Sequence, residues 1–340
     1  MSTRLPFTRR ALSALLALVC ALSLAGAPLL SGCTGTTPAE PVTMRIGALR
    51  GPTGMGLAQM IDESAKGSFS NDFEFTLAGS ADELAPKLVK GELDALCVPA
   101  NLAATLYAKT DGAVEVLAVN TLGVLDIVEA GDSVHSMDDL RGKTIVSAGK
   151  GSTPQYALEY LLEKNGLTPG KDVQVEWKSE HAECLAALQS DTDKIAMLPQ
   201  PFATSALSKV DGARIALDLN KVWDQTVAKD GGSSQLVTGV VVARTQFVED
   251  NPAAIEEFMG AYADSVAYVN DEPEQASQLI EDAGIVDAAI AKQAIPYCNI
   301  VFLTGSEMRA ALEGYLQTLY DADPASVGGA MPGDGFYYNA

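Results

Sequence analysis

Histidine is almost absent from this chain of 340 residues, which contains only two. Neither His135 nor His181 belongs to a set of three or four ligands at the spacing of a metal site, so we expect no metal site and no cofactor. Both histidines are expected in solvent. His181, at the start of a predicted helix, is an outside candidate for the rim of a binding cleft.

Basic residues are scarce relative to acidic ones. Without the first 32 residues, which contain Arg4, Arg9 and Arg10, the chain has 20 basic and 44 acidic residues and a net charge of −24. Proteins bind nucleic acid through clustered Lys and Arg, so this balance argues against a nucleic-acid partner.

Cysteines are few and widely spaced. Cys20 and Cys33 lie near the N-terminus, which leaves Cys97, Cys184 and Cys298 in the remaining chain. An odd number without close spacing does not indicate a disulfide framework, although a single disulfide among the three stays open. Cys97 lies in an apolar run and is expected to be a small buried side chain.

The N-terminus has the order of a secretory signal. Three arginines precede an apolar run over residues 11–30, which is followed by Leu-Ser-Gly-Cys33. This ending resembles the lipobox of bacterial lipoproteins and predicts a signal peptide over residues 1–32, lipidation of Cys33 and a tether over residues 33–42. The resemblance implies an extracytoplasmic protein anchored by lipid to the cell membrane. An uncleaved signal anchor is the alternative, and the export route, Sec or twin-arginine, stays open.

Strand-like and helix-like segments alternate after the tether, which predicts α/β architecture with mostly parallel sheets. Residues 53–67 are predicted to form one helix after the first strand. Another predicted helix has Thr153 as its N-cap and Pro154 at its first position. Five pairs of residues share an offset of 100 within the same order of elements: Arg50 and Lys150, Gly51 and Gly151, Thr53 and Thr153, Pro99 and Pro199, and Ala103 and Ala203.

This offset predicts two similar lobes. We expect lobe 1 over residues 43–124 plus 236–340 and lobe 2 over residues 125–235, with two crossovers between them. The size of the chain agrees, because about 300 residues exceed what one core usually supports.

Two glycine-rich loops occupy corresponding positions in the predicted lobes. "GPTGMG" at 51–56 has neither the Gly-Lys-Ser/Thr ending of a phosphate-binding loop nor the spacing of a dinucleotide fingerprint. Its counterpart, "GKGSTPQ" at 149–155, also lies at the carboxyl end of a strand, where α/β proteins bind ligands. Each loop offers helix amides, a threonine and a cation, which suit an anion. The alternative is that the glycines serve the backbone alone and the cations are solvated.

Catalytic constellations are not apparent. No Gly-x-Ser-x-Gly elbow occurs, and the acidic residues are scattered. We therefore expect a binding protein rather than an enzyme.

Several segments together resemble the substrate-binding proteins of ABC importers in the nitrate, sulfonate, taurine and thiamine-pyrimidine-precursor group. They are "RIGALRGPTGMGLAQMI", "KLVKGELDALCVPANLAATLY", "GKTIVSAGKGSTPQYALEYLL" and "IAMLPQPFATSAL". The resemblance implies a type II periplasmic-binding-protein fold, with two α/β lobes that close on a ligand. It also implies an ABC permease and ATPase as partners of a monomeric receptor.

Carried over by position, the resemblance and the two loops give a set of candidate ligand-binding residues. They are Arg50, Gly51, Thr53, Gly54, Asn101, Asn120, Thr121, Lys150, Gly151, Ser152, Thr153 and Gln200. Many relatives have an acid where this chain has Gln200, so the role of that position is in doubt.

The resulting hypothesis is a receptor that captures a small organic anion or heterocycle of sulfonate, carboxylate or pyrimidine-precursor type. Two alternatives stay open: an enzyme of the pyrimidine-precursor or menaquinone pathway on the same fold, and a receptor of a TRAP-type importer. The ligand itself, its affinity and the balance of open and closed forms are not predicted.

Overall fold

The computed structural model describes residues 40–339, so the predicted signal peptide, the lipobox with Cys33 and nearly all of the tether lie outside the described residues. The strands are β1 (Thr43–Leu49), β2 (Asp72–Ala78), β3 (Ala95–Pro99), β4 (Val114–Leu122), β5 (Leu125–Ala130), β6 (Thr144–Ala148), β7 (Gln174–Lys178), β8 (Ile195–Pro199), β9 (Ala213–Asp218), β10 (Val237–Arg244) and β11 (Ile300–Leu303).

The helices alternate with these strands up to β10 and then dominate the C-terminal part. They are α1 (Pro52–Met55), α2 (Ala58–Ala65), α3 (Ala81–Val89), α4 (Ala100–Lys109), α5 (Thr153–Lys164), α6 (His181–Ser190), α7 (Phe202–Lys209), α8 (Leu219–Lys229), α9 (Thr245–Asp250), α10 (Pro252–Asp271), α11 (Pro273–Asp282), α12 (Ala288–Ala294) and α13 (Gly305–Ala322). Short 3₁₀ turns lie at Met137–Leu140, Ile295–Tyr297, Pro324–Val327 and Asp334–Phe336. Among residues 40–339, no helix combines the length and hydropathy that a membrane crossing requires.

Two sheets organise the described chain. The six-stranded sheet has the order β11-β4-β10-β3-β1-β2 and forms the centre of lobe 1, and the five-stranded sheet has the order β7-β6-β8-β5-β9 and forms the centre of lobe 2. The predicted two-lobed α/β fold is therefore confirmed. Strands β3 and β8 are almost wholly apolar because helices cover both faces of each sheet.

The sheets are mixed, which corrects the expectation of mostly parallel strands. In lobe 1, β1 pairs in parallel with β2 and β3, whereas β10 runs antiparallel to β3 and β4. In lobe 2, β6 pairs in parallel with β7 and β8, whereas β5 runs antiparallel to β8 and β9. Strands β5 and β10 each follow a crossing between the sheets and enter their sheet from the opposite end, and the edge strand β11 also runs antiparallel to β4.

A short segment around Gly123 joins β4 of one sheet to β5 of the other. The carbonyl oxygen of Gly123 accepts hydrogen bonds from Asn220 Nδ2 at 2.6 Å and from Asn299 Nδ2 at 2.5 Å. A Cβ atom on Gly123 would lie 1.4 Å from Asn220 Oδ1, so a side chain has no room there. The crossing is thus held by one asparagine from each lobe.

Two helix boundaries differ from the sequence predictions. The helix predicted over residues 53–67 is interrupted by a turn at Gly56 and Leu57, between α1 and α2. There the Gly56 amide donates to the Pro52 carbonyl and the Leu57 amide donates to the Gly54 carbonyl. Helix α5 begins at Thr153, and its N-cap is Ser152, one residue earlier than predicted.

Apolar residues from both sheets form one continuous core cluster. On the side of helices α5, α8 and α13, the ring of Trp223 lies 4.9 Å from that of Tyr160 and 5.4 Å from that of Tyr315, measured between centroids. Trp223 and Tyr160 belong to lobe 2, and Tyr315 belongs to lobe 1. The indole N–H of Trp223 donates to the Ser234 carbonyl at 3.1 Å, which satisfies its one polar atom.

Candidate functional site

A cavity of about 190 Å³ lies between the lobes, at the carboxyl ends of β1, β2 and β3 in lobe 1 and of β6, β7 and β8 in lobe 2. These are the ends at which α/β proteins bind ligands. The cavity is lined by seven of the predicted site residues: Arg50, Gly51, Thr53, Thr121, Lys150, Gly151 and Ser152. The structure does not bring Gly54, Asn101, Asn120, Thr153 or Gln200 to its wall.

The charged lining is mainly cationic. Arg50 enters from lobe 1, Lys150 and Lys178 enter from lobe 2, and Asp82 is the acidic residue of the lining. Lys178 Nζ lies 2.7 Å from Glu176 Oε1, whereas neither Arg50 nor Lys150 forms an ion pair within residues 40–339. Two cations from opposite lobes therefore face the cavity with their charge uncompensated, which favours an anion.

The remaining lining is largely apolar. Its larger apolar side chains are Leu49, Pro52, Pro99, Leu102, Val124, Leu125, Pro154, Pro199 and Phe202. A predominantly apolar wall with a few placed polar groups is typical of small-molecule sites. The arrangement suits a ligand with an apolar body and an anionic group.

The first glycine-rich loop gives the cavity its lobe 1 wall. The Gly51 carbonyl accepts from the amides of Gly54 and Met55, which forms the single turn α1. The Thr53 hydroxyl donates to the Leu49 carbonyl over a long 3.4 Å. A Cβ atom on Gly54 would lie 2.6 Å from Leu49 O, so Gly54 permits a close backbone approach and, contrary to the prediction, does not face the cavity.

The second loop is organised by side chains that the first lacks. The Ser152 hydroxyl donates to the Gly149 carbonyl at 2.8 Å, and the Gly151 amide donates to Gln155 Oε1 at 2.7 Å. Gly151 has φ 76°, which favours glycine. The Gly151 amide is thus satisfied within the protein and is not free for a ligand, which the sequence had not indicated.

Thr153 and Asn101 lie at the interface between the lobes, away from the cavity wall. The Thr153 hydroxyl donates to Asn101 Oδ1 at 3.2 Å and accepts from the Tyr315 hydroxyl at 3.2 Å. Asn101 Nδ2 donates to the Ser326 carbonyl at 3.0 Å. Thr153 and Asn101 are both fully buried, so this network fastens the start of α5 in lobe 2 to α4 and α13 in lobe 1.

The floor of the cavity contains one predicted residue and one that was missed. Thr121 lines the floor and donates to Asn120 Oδ1 at 3.2 Å, whereas Asn120 itself is fully buried beneath it. Thr238 on β10 also lines the cavity and was not predicted. Asn120 Nδ2 and Thr238 Oγ1 are enclosed without a hydrogen-bond partner among the described residues.

Gln200 has a role inside lobe 2. Its Nε2 donates to Asp126 Oδ2 at 3.0 Å, and its Oε1 accepts from the Thr204 hydroxyl at 2.7 Å. Burial, reinforced by the nearby carboxylate of Asp218, raises the pKa of Asp126 to about 7. The Gln200 amide therefore partners a buried carboxyl group, and the structure keeps it out of the cavity.

Sequence reasoning missed a second pair of loops, which follow β2 and β7. Gly79, Ser80 and Asp82 line the cavity from lobe 1, and Lys178 and Ser179 line it from lobe 2. Gly79 and Ser179 stand 100 residues apart, so the offset could have revealed these loops. His181, the outside candidate, lines the cavity beside Phe202.

The sequence left open a disulfide among Cys97, Cys184 and Cys298. In the structure all three cysteines are free and buried. Burial raises the pKa of the Cys97 and Cys184 thiols to about 12. Such thiols are inert, so they serve packing. Among the described residues, no group of three or more histidines, cysteines or acids is placed to hold a metal ion.

Solved structures with the same fold belong to transport proteins. An ABC transporter from Parabacteroides distasonis is 23% identical, with 88% of this chain and 99% of that chain covered and a TM-score of 0.70. The periplasmic aliphatic sulphonate binding protein of Escherichia coli is 18% identical over 88% and 92% of the chains, with a TM-score of 0.67. The periplasmic nitrate-binding protein of Synechocystis PCC 6803 is 15% identical over 85% and 84%, with a TM-score of 0.56.

No curated protein matches the chain significantly. The sequence profile of the NMT1-like family, by contrast, matches residues 38–283. This match spans both sheets except for β11 and covers most of the chain. The chain therefore belongs to the NMT1-like family.

Proposed function

We propose that this protein is the extracytoplasmic solute-binding receptor of an ABC importer and captures a small organic anion between its two lobes. The observation that carries the proposal is the cavity with Arg50 on one side, Lys150 on the other and an apolar wall between them. A solute receptor needs a site that both lobes complete, and this cavity has that form.

The size of the cavity favours an organic anion over an inorganic one. A water molecule requires roughly 10–15 Å³ of such space, and the cavity offers about 190 Å³. A bare oxyanion would leave the wall around Leu102 and Phe202 unused. A sulfonate or carboxylate with an apolar body would contact the cations and this wall together.

The relatives support the same assignment. Structures with this fold include binding proteins for aliphatic sulphonates and for nitrate, both anions. We infer a permease and an ATPase as partners and a monomeric receptor tethered through lipidated Cys33. An enzyme of the same fold and a TRAP-type receptor are the alternatives; turnover of the ligand would support the first, and neighbouring genes for a TRAP permease would support the second.

Calorimetry on the purified protein tests the proposal with hexanesulfonate, benzenesulfonate and hexanoate, and with hexylammonium as the cationic counterpart. We expect at least one anion to bind and hexylammonium not to bind. Arg50→Gln and Lys150→Gln should each weaken anion binding by about 10–100-fold, because each removes a charge-assisted hydrogen bond. Lys90→Gln in lobe 1 and Lys171→Gln in lobe 2, which are exposed and outside the cavity, are the matched controls.

Two results would overturn the proposal. One is the absence of binding by all three anions. The other is an equal loss of affinity in the control variants, which would show that only the overall charge of the protein matters.

A further inference from the structure

His181, one of the two histidines in the chain, lies in the wall of the cavity. It begins α6, directly after the loop that carries Lys178 and Ser179 into the cavity. Its ring packs against that of Phe202, with centroids 5.8 Å apart and planes inclined by 39°. Both rings line the cavity, so together they form one aromatic face of it.

Neither ring nitrogen of His181 has a hydrogen-bond partner among the described residues. Nδ1 is enclosed by protein atoms and unpaired, whereas Nε2 is not enclosed. Because the ring lines the cavity, Nε2 is the nitrogen that a bound molecule can reach. Nε2 makes no hydrogen bond within the described residues, so it is available to a molecule that binds in the cavity.

Burial lowers the pKa of His181 to about 4, so the imidazole is neutral at neutral pH. The charged residues of the cavity lining are Lys178 and Lys150 of lobe 2 and Arg50 and Asp82 of lobe 1. Glu180, which directly precedes His181, places its carboxylate against Gly79 of lobe 1. A neutral imidazole carries one N–H and one lone pair. An enclosed lone pair at Nδ1 costs less than an enclosed N–H, which places the proton on Nε2.

We propose that His181 contacts the ligand directly: its Nε2–H donates a hydrogen bond to an acceptor atom of the bound anion, and the His181 and Phe202 rings hold its apolar body. This inference rests on the proposed function and adds a selectivity element to it. Loop 178–181 follows β7, the neighbour of β6, whose loop carries Lys150. The loops that carry His181 and Lys150 therefore follow neighbouring strands of the lobe 2 sheet.

Three variants of His181 separate this role from simple packing. In His181→Gln the amide nitrogen lies about where Nε2 lies, in His181→Asn it lies nearer to Nδ1, and His181→Phe keeps a ring without a donor. With benzenesulfonate as the probe, we expect Gln to retain affinity within about 3-fold. Asn and Phe should weaken binding by roughly 5–20-fold, the effect of one lost hydrogen bond. The same three changes at His135, which is exposed and outside the cavity, are the matched controls.

Nitrogen NMR of the two imidazoles supplies a second readout that a packing role would not produce. Addition of benzenesulfonate should move the Nε2 resonance of His181 and leave His135 in place. Unfolding by urea, measured in parallel, identifies any variant that loses affinity because it loses stability.

The outcomes distinguish this inference from the proposed function. If benzenesulfonate binds, depends on Arg50 and Lys150, and binds equally well to His181→Phe, the role of His181 is wrong and the proposed function stands. A variant series in which Asn retains affinity and Gln loses it would also overturn the assignment of Nε2. If benzenesulfonate, hexanesulfonate and hexanoate all fail to bind, the assignment of His181 falls together with the substrate class.

Discussion

The two glycine-rich loops stand 100 residues apart in the sequence and occupy equivalent places after β1 and β6, yet they use their threonines in opposite ways. Thr53 lines the ligand cavity and makes one long hydrogen bond. Thr153 is turned into the lobe interface, where Asn101 and Tyr315 pair with its hydroxyl. Correspondence in sequence therefore fixes the position of a residue in the fold and leaves its function open.

The two loops therefore differ in what they contact. Lobe 1 contributes Arg50 and Thr53 to the cavity through a single turn of helix. Lobe 2 contributes Lys150 and Ser152 and uses the next residue to attach itself to lobe 1. The equivalent loop has thus become both a wall of the site and a fastening between the lobes.

The largest expected contrast is between Thr153→Val and Thr53→Val. Thr153→Val leaves Asn101 Oδ1 and the Tyr315 hydroxyl buried without partners, and we expect it to lower the free energy of unfolding by about 2–4 kcal/mol. Thr53→Val removes only the 3.4 Å bond to Leu49 and should cost less than about 1 kcal/mol. Urea unfolding measures both; equal losses would show that the two hydroxyls are used alike.

The second contrast is between Ala100 and Gln200, which follow the prolines that end β3 and β8. Ala100 has no polar side chain, whereas Gln200 hydrogen-bonds to a buried carboxyl group. Gln200 partners Asp126, whose pKa rises from an ordinary 3.8 to about 7 on folding. The folded state therefore holds the proton more tightly, and stability falls as pH rises from about 4 to 7. Asp126→Asn keeps an acceptor for Gln200 and removes this cost, so we expect a gain of about 1–3 kcal/mol at pH 8.

The pH dependence of that gain is the sharper measurement. Below pH 4 the carboxyl becomes protonated in both states, so the advantage of Asp126→Asn should shrink toward zero as the pH falls through this range. Asp264→Asn, an exposed acid on α10 of lobe 1, is the control. A gain that is the same at pH 8 and pH 4.5 would rule out a titrating Asp126 as its cause.

A smaller contrast lies in the backbone of the loops. Gly151 has φ 76°, so Gly151→Ala forces a side chain into the left-handed region and should cost about 1 kcal/mol. Gly51 is extended, with φ 178°, and a Cβ atom there meets nothing within 4 Å. We expect Gly51→Ala to change stability by less than about 0.5 kcal/mol. Thermal unfolding of both variants measures this difference, and a larger loss in Gly51→Ala than in Gly151→Ala would contradict it.

The smallest expected effect belongs to the ion pair that links the lobes at their surface. Lys209 Nζ on α7 lies 3.6 Å from Asp287 Oδ2 beside α12. Both side chains are largely in solvent, so Lys209→Gln should cost no more than about 0.5 kcal/mol and less at high salt. A loss of unfolding free energy as large as that of Thr153→Val would show that this ion pair, rather than the Thr153 network, holds the lobes together.

Local pattern predicted the fold class because strand and helix periodicity, and the offset of 100 residues, are visible in the sequence. The mixed strand directions were not predicted, because β5 and β10 pair with strands of a sheet that the chain enters from a distance. Thr153 was misplaced because its partners, Asn101 and Tyr315, come from lobe 1 and are set by tertiary packing. Gly54 and Gln200 were misplaced because their partners, Leu49 O and Asp126, are set by tertiary packing.

The aromatic packing of Trp223 against Tyr315 has a consequence for how the protein comes apart. These rings belong to different lobes but to one core cluster, which contains residues of both sheets. Loss of structure in one lobe exposes the part of this cluster that lies in the other, so we expect the unfolding of the two lobes to be coupled. A destabilising substitution in this cluster should therefore lower the fraction of molecules in which the cavity is formed.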